Sequence, residues 1–495
     1  MQHVHLIGIG GSGLSAIALV LLESGFTVSG SDRELSPLAQ RLQAAGSQVF
    51  TGHRPENIQG ADLVVRSSAI PDDNPEVQAA LVAGIPVLKR AEFLGQLTAG
   101  RRSIAVAGTH GKTTTTAMIA WMLAALGQDP SFIIGGIAAN LGSNAHAGRG
   151  PFFVIEADEY DRMFLGLQPE IEVVTNVEHD HPDCYPTPED FYQAFLAFVQ
   201  RLPAAGGVLL ACADDPGAAR LLEEAAARGY QSRSYGINDQ GAGTMDQGPG
   251  ISNLGSGFDY EGRNLARNEL GGFSFEFVKQ SQLAGSESLV PNPESRIPIS
   301  LPVPGRHNVR NALAALGVAD LLGLSLQEAA LALREFRGTS RRFEVLGDVA
   351  GITFVDDYAH HPTEIRATLA AARARYPGRR IWAVWQPHTY SRTRMFSADF
   401  ARSFEDADRV VVTEIYAARE AAPVEGFSTR QVVEKMQHPA AHFAPDLTQA
   451  EEYLLAHLLP GDVLLVLSAG DADQLNTHLM QALKIRGNPA IVRSK

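Results

Sequence analysis

Two glycine-rich loops carry the residues best suited to chemistry. The first, Gly8-Ile9-Gly10-Gly11-Ser12-Gly13, follows the β-like run HVHLI and opens an Ala/Leu-rich helix. Glycines there let the backbone turn tightly and approach a diphosphate, whose charge then sits at the helix N-terminus. Asp32, nineteen residues after Gly13 at the end of a second strand, is placed for a ribose hydroxyl. Taken alone, this loop reads first as a dinucleotide site and next as a site for another nucleotide diphosphate. The second loop, Gly108-Thr109-His110-Gly111-Lys112-Thr113-Thr114, again joins strand to helix. Lys112 is expected to reach the β- and γ-phosphates, loop N–H groups to cradle them, and the Thr113 hydroxyl to bind Mg²⁺. Val106 stands where a standard P-loop has its first glycine, so this is a shortened variant.

Two such loops in series narrow the reaction. A nicotinamide enzyme has no evident use for an ATP loop, and a P-loop motor has none for a preceding diphosphate-binding domain. ATP that activates one substrate, while the first loop holds that substrate by a nucleotide handle, accounts for both. Glu156 closes the run Val154-Ile155-Glu156, and His181 closes Thr175-Asn176-Val177-Glu178-His179-Asp180-His181. Both runs end a strand, where ligands meet open parallel sheets. Thr113, Glu156 and His181 are therefore expected around Mg²⁺ on the ATP phosphates. Zinc is the weaker reading, since Cys184 is the one nearby thiol, and a solvated acidic loop is the plain one.

The elements that must position these groups alternate. β-branched runs and Ala/Leu-rich helices follow one another from Val4, which implies parallel sheets with right-handed crossovers. The expected fold is α/β in three domains. Residues 1–99 form a Rossmann-like N-terminal domain, with Thr98-Ala99-Gly100 as a hinge. Residues 100–337 form a P-loop ATPase-like central domain, a parallel sheet with smaller antiparallel strands. Residues 338–495 form a Rossmann-like C-terminal domain. The Gly/Ser/Asn-rich stretch 238–297 reads as loops and antiparallel edge strands, partly mobile.

Composition bounds the partners. Of 495 residues, 41 are Lys or Arg and 55 Asp or Glu, a formal charge of −14. That excess gives no footing for non-specific binding to nucleic acid or anionic membrane, so anionic ligands must meet local cations and helix N-termini. Cys184 and Cys212 cannot make a disulfide framework, the N-terminus lacks a basic signal-peptide region, and no apolar run is long enough to span a bilayer. A cytoplasmic enzyme, monomeric or homodimeric, is expected.

GIGGSG…GSD, AGTHGKTTTT, EADEYD, TNVEHDH, GRHNVRNALAA, RRFE, DDYAHHPTE and QPHTYSRTR stand in this order between about His5 and Ile415. In that series the chain resembles the Mur ligases. The resemblance implies ATP-dependent amide-bond synthesis. The lactyl carboxylate of UDP-N-acetylmuramate takes the γ-phosphoryl of ATP, and L-alanine displaces the resulting acyl phosphate. It further implies that Gly10, Gly11 and Gly13, with Ser31, Asp32 and Ser67-Ser68-Ala69, hold the UDP-sugar. Residues 108–114 would hold the ATP phosphates, His307, Asn308 and Asn311 the adenosine, Arg341 or Arg342 the phosphates, and Asp356 the ribose. Lys112 and His181 would act at the transfer, with His360, His361 and Arg392 beside the acceptor amino acid and the activated carboxylate. GRHN fits a helix cap as well, and either histidine of the pair fits a core or capping role.

Three features depart from the family pattern. Thr389 stands where some members place Arg. FYQAFLAFVQRL lacks the carbamylated lysine of sibling ligases, in keeping with the alanine-adding branch. Residues 238–297 are longer and richer in glycine than the family leads one to expect. The rival within the family attaches a whole tripeptide to the same UDP-sugar, and Tyr160 leans that way. QPHTYSRTR, DDYAHHPTE and FLGLQPEIEVVTN lean toward alanine. An NAD-dependent oxidoreductase rests on the first loop alone, and a non-catalytic UDP-sugar binder sits poorly with Lys112, Thr113, Glu156 and His181 together.

Overall fold

A computed structural model describes residues 2–238, 257–280, 296–418, 420 and 427–487. Three sheets follow one another along the chain. The first holds β1 (His3–Ile7), β2 (Thr27–Asp32), β3 (Gln48–Thr51), β4 (Leu63–Arg66) and β5 (Val87–Lys89), all parallel in the order β3-β2-β1-β4-β5. Successive strands run outward in one direction from β1 and in the other from β4. The crevice between their carboxyl ends is where such sheets bind ligands. β3 and β5 were not legible as strands, being only four and three residues long with no fully buried face.

The second sheet has ten strands. They are β6 (Arg102–Ala107), β7 (Ser131–Ala138), β8 (Ser143–His146), β9 (Phe152–Glu156), β10 (Ile171–Val174), β11 (Val208–Cys212), β12 (Gln231–Ile237), β13 (Tyr260–Arg267), β14 (Phe273–Lys279) and β15 (Arg296–Leu301). Their order is β15-β14-β13-β12-β11-β10-β6-β9-β7-β8, parallel except at β7/β8, β13/β14 and β14/β15. The antiparallel strands expected within 238–297 are thus β13, β14 and the start of β15; residues 239–256 and 281–295 lie outside the described residues. The third sheet holds β16 (Glu344–Val349), β17 (Ile352–Asp357), β18 (Ile381–Gln386), β19 (Arg409–Val412), β20 (Ala441–Phe443) and β21 (Val463–Ser468), ordered β16-β17-β21-β18-β19-β20 with only β16/β17 antiparallel.

The central helix Lys112–Ala125 fixes the second loop. Ala117, Met118, Ile119, Ala120, Met122 and Leu123 are all fully buried. They share one apolar cluster with Ile104 and Val106 of the sheet and with Val309, Ala312 and Leu316 of the helix Arg306–Leu321. A helix apolar on every side has to be covered on every side. Packing therefore presses the Arg306–Leu321 helix against the loop: a Cβ on Gly111, which is left-handed at φ +81°, would lie 2.9 Å from Asn311 Oδ1.

Candidate active site

At the first loop the glycines do the shaping. Gly8 sits at φ +89° beside Ser67, and Gly11 caps the helix Ser12–Glu23 without a side chain. A Cβ on Gly13 would collide with the Arg90 guanidinium, which lies directly over that residue. Arg90 Nη2 donates in turn to Asp158 Oδ2 of the central unit at 3.3 Å. Asp32 braces the loop from within, accepting the Gly10 N–H at Oδ2 (2.9 Å) and the Arg33 N–H at Oδ1 (2.7 Å). Ser67, Ser68 and Ala69 follow β4, half-buried to exposed, across from Gly8. Ser31 departs from expectation. It is fully buried, and its hydroxyl donates to Glu76 (2.5 Å), so it is turned into the unit rather than toward the crevice.

Glu76 is a buried hub. It also accepts from Asn57 (2.5 Å) and lies 3.3 Å from His53 Nδ1. Burial works to raise its pKa, but the hydrogen bonds and His5 hold it down at about 2.

The second loop is laced with charge. Lys112 Nζ donates to the Gly108 carbonyl (2.5 Å), the Thr109 carbonyl (3.1 Å) and Glu159 Oε1 (2.9 Å). Burial opposes the charge on Lys112, yet Glu159 and Glu156 carry its pKa above the ordinary value. Thr113 Oγ1 donates to Glu156 Oε1 (3.0 Å), whose other oxygen accepts the Gly135 N–H (2.6 Å). Burial pushes Glu156 up. His181, at φ +54°, places Nε2 at 3.4 Å from Glu159 Oε1. Glu159 Oε2 is buried with no hydrogen-bond partner among the described residues. Hydroxyl, carboxylate and imidazole donors around an orphaned carboxylate oxygen fit a hard dication, so the residues present suit Mg²⁺ at Thr113, Glu156 and His181.

His110 reaches across to the third sheet. Its Nε2 lies 2.9 Å from Glu178 Oε2 and its Nδ1 3.3 Å from Glu364 Oε1. Burial opposes protonation, but the two carboxylates push His110 up to about 10. Glu178, which burial alone would raise, is held at about 2 by that imidazolium.

A cleft of about 380 Å³ opens beside the loop. His110, Gly111, Thr114, Tyr235, His307, Asn308, Asn311, Arg342 and Asp357 are among its walls. Asn308 and Asn311 bond each other (3.0 Å), and burial holds His307 at about 4, neutral. Of the arginine pair, only Arg342 lines the cleft. Arg341 turns into the third unit, where Nε donates to Asp356 Oδ2 (3.2 Å) and Nη2 to the Ser468 carbonyl (2.7 Å). Asp356 is corrected likewise: adjacent strand residues face opposite ways, and it is Asp357 that meets the cleft. Burial pushes Asp356 up to about 7 and Asp357 to about 6.

The acceptor side comes from the third unit. His360 Nδ1 lies 2.8 Å from the Tyr358 carbonyl. A carbonyl only accepts, so Nδ1 carries the hydrogen and Nε2 is a bare acceptor. Burial holds His360 at about 3. His361 caps the helix Pro362–Arg375, its Nδ1 accepting the Thr363 N–H (3.3 Å), with Pro362 and Glu364 completing the helix start. That capping role removes it from the expected place at the acceptor. Arg392 is buried and donates through two nitrogens to Asp180 (2.8 and 3.1 Å) of the central unit. It therefore stands beside His181, tying the third unit to the metal-side loop. Thr389 has φ +65°, costly for a β-branched residue, and sets the entry to the short helix Tyr390–Met395.

Sequence reasoning passed over Glu159, Glu178, Asp180, Glu364 and Arg90. Each is a partner of a motif residue rather than a motif glycine or lysine, and only the neighbouring EADEYD, EHDH and HHPTE strings hinted at them.

Comparison with known proteins bears on the whole chain. Residues 3–102, 106–319 and 341–470 match models described as Mur ligase family catalytic domain, Mur ligase middle domain, and Mur ligase glutamate ligase domain. The chain is 41% identical over 497 residues to UDP-N-acetylmuramate–L-alanine ligase of Salinibacter ruber, across all of this chain and 97% of that one. Among solved structures it is similar to UDP-N-acetylmuramate-alanine ligase of Thermotoga maritima, with TM-score 0.77 and 27% identity over 98% of this chain and 100% of that one. It is also similar to a murein peptide ligase of Psychrobacter arcticus, with TM-score 0.68 and 27% identity over 98% and 99%.

Proposed function

Because the chain belongs to the Mur ligase family, we propose that it joins L-alanine to the lactyl carboxylate of UDP-N-acetylmuramate at the expense of ATP, a step of peptidoglycan precursor synthesis. Full-length identity to alanine-adding relatives supports this acceptor over the tripeptide, and the middle and terminal matches leave the oxidoreductase reading without support. The observation that carries the chemistry is that Glu159 joins Lys112 to His181, Glu156 lies close enough to act on the Lys112 charge, and Arg392 reaches His181 from the third unit.

A carboxylate resists amines because its leaving group would be oxide. Transfer of the γ-phosphoryl to a lactyl oxygen makes an acyl phosphate, whose C–O bond breaks when the amine attacks and releases phosphate. Lys112 offsets charge on the transferring group once the nucleotide draws it from Glu159. Thr113, Glu156 and His181 would hold Mg²⁺, which would offset negative charge on the phosphates. His360, neutral with Nε2 bare, is suited to accept a hydrogen bond from the incoming amine and too weak a base to keep its proton. Gly10, Gly11 and Gly13 approach the UDP diphosphate; His307, Asn308, Asn311, Arg342 and Asp357 line the adenosine side.

The division at 99/100 and 337/338, a cytoplasmic location and a monomeric or homodimeric state belong to the same reading. The three separate sheets support the first. Among the described residues no helix is long and apolar enough to cross a membrane. Phosphate release should require UDP-N-acetylmuramate and L-alanine together, and ¹⁸O placed in the lactyl carboxylate should appear in the phosphate. Release with tripeptide instead would overturn the acceptor, and unlabelled phosphate would overturn the acyl phosphate.

A further inference from the structure

Beside the second loop, two imidazoles and a carboxylate converge from two units, and none of them is a ligand of the Mg²⁺ proposed above. We propose that His110, Glu178 and His361 form a second cation site, one for a transition-metal dication such as Zn²⁺ or Co²⁺. One donor atom from each residue lies within 4.8 Å of the other two. His110 Nε2 is 2.9 Å from Glu178 Oε2, which is 4.0 Å from His361 Nδ1, and the two imidazole rings are 4.7 Å apart. Around a four-coordinate ion with bonds of about 2.0–2.1 Å, donors stand about 3.3 Å apart, so small side-chain shifts close the set.

Two further observations point to an ion. With two of its three donors nitrogen, the set favours Zn²⁺ and its neighbours over Mg²⁺, which prefers oxygen. Glu364 Oε1, 3.3 Å from His110 Nδ1, is the outer carboxylate that holds a ligating imidazole in the correct tautomer. His361 is 2% exposed, and the nitrogen it turns toward Glu178 is Nδ1. Ligation gives up the 3.3 Å cap from the Thr363 N–H at His361 Nδ1 and the proton that His110 holds between Glu178 and Glu364.

Placement gives the site a consequence. His110 and Glu178 belong to the central sheet's loops and His361 to the third unit, and the first two line the nucleotide cleft. An ion held by all three pins the units across that cleft and occupies the entrance beside the loop. Zn²⁺ is therefore expected to inhibit by competing with MgATP.

The test is Co²⁺ titration of the chelator-treated full chain, without nucleotide. One equivalent should produce the intense visible bands of four-coordinate Co²⁺, and these should persist in millimolar Mg²⁺. Loss of the bands to Mg²⁺ would overturn the proposal with no variant needed, because it would place the ion at Thr113 and Glu156. Glu178→Gln and His361→Asn should each weaken Co²⁺ binding by more than Glu364→Gln, which should cost on the order of 10-fold as an outer partner. Unchanged affinity in both ligand variants would also overturn it. Because no ligase turnover enters these readings, the site stands or falls separately from the proposed reaction.

Discussion

The two glycine loops have nearly the same grammar, strand then glycines then helix, and different electrostatics. The first offers backbone at Gly10, Gly11 and Gly13, with Asp32 tied back onto Gly10 and the Arg90 guanidinium laid over Gly13 from outside the loop. The second carries Lys112 and His110, held by Glu159, Glu178 and Glu364 before any nucleotide enters. A loop that only anchors a handle can work through backbone shape. A loop that must stabilise charge in motion needs a cation already in place, and carboxylates to keep that cation folded inward.

Lys112→Ala should separate the loops most sharply. Turnover should fall by on the order of 10³-fold, while UDP-sugar binding, measured by calorimetry, stays within about twofold. A comparable loss of both would show the loops act as one. Gly11→Ala comes next. Its φ is −75° and a Cβ there would meet nothing nearer than the Gly8 carbonyl at 3.4 Å, so the fold should be unmoved. A rise in KM for the UDP-sugar of about 10-fold, or about 1.4 kcal/mol, would then report ligand approach alone.

The second loop should also show an alkaline pH signature that comes from its own histidine. His110 is raised from an ordinary 6.5 to about 10, so its stabilisation is complete below pH 6.5 and fades as pH climbs through 10. The difference in melting temperature between the parent chain and His110→Gln should shrink across that window; a constant difference would mean His110 is not charged. Ser31→Ala should do least to catalysis. It removes a buried bond to Glu76, costing about 1–2 kcal/mol of stability, with KM nearly unchanged.

The same contrast explains what could be read from the sequence. Glycine spacing and the Gly-Lys-Thr run mark loops that require those residues, so both loops, the αβ alternation and Glu156 at a strand end were legible, whereas His181 lies in the loop beyond β10, which ends at Val174. Facing was not. Asp356 and Asp357, or Arg341 and Arg342, differ by one step along the chain, and which member meets the cleft depends on how β17 lies against the central unit and on the left-handed turn at Arg341 (φ +57°). His361 looked chemical because its neighbour is; the Thr363 and Glu364 contacts that make it a cap depend on where the helix begins. Glu178 and Glu364 stand 186 positions apart in the chain, and only the docking of two units makes them partners of one imidazole.

Arg392 and Asp180 meet with both side chains withdrawn from water, one from the third unit and one from the central unit. Mutual attraction favours their contact, but so does hydration favour their parting, and for ions in such surroundings the two nearly balance. A clasp of that kind grips firmly in geometry and weakly in free energy. Such a clasp is suited to a joint that closes over reactants and reopens at little cost.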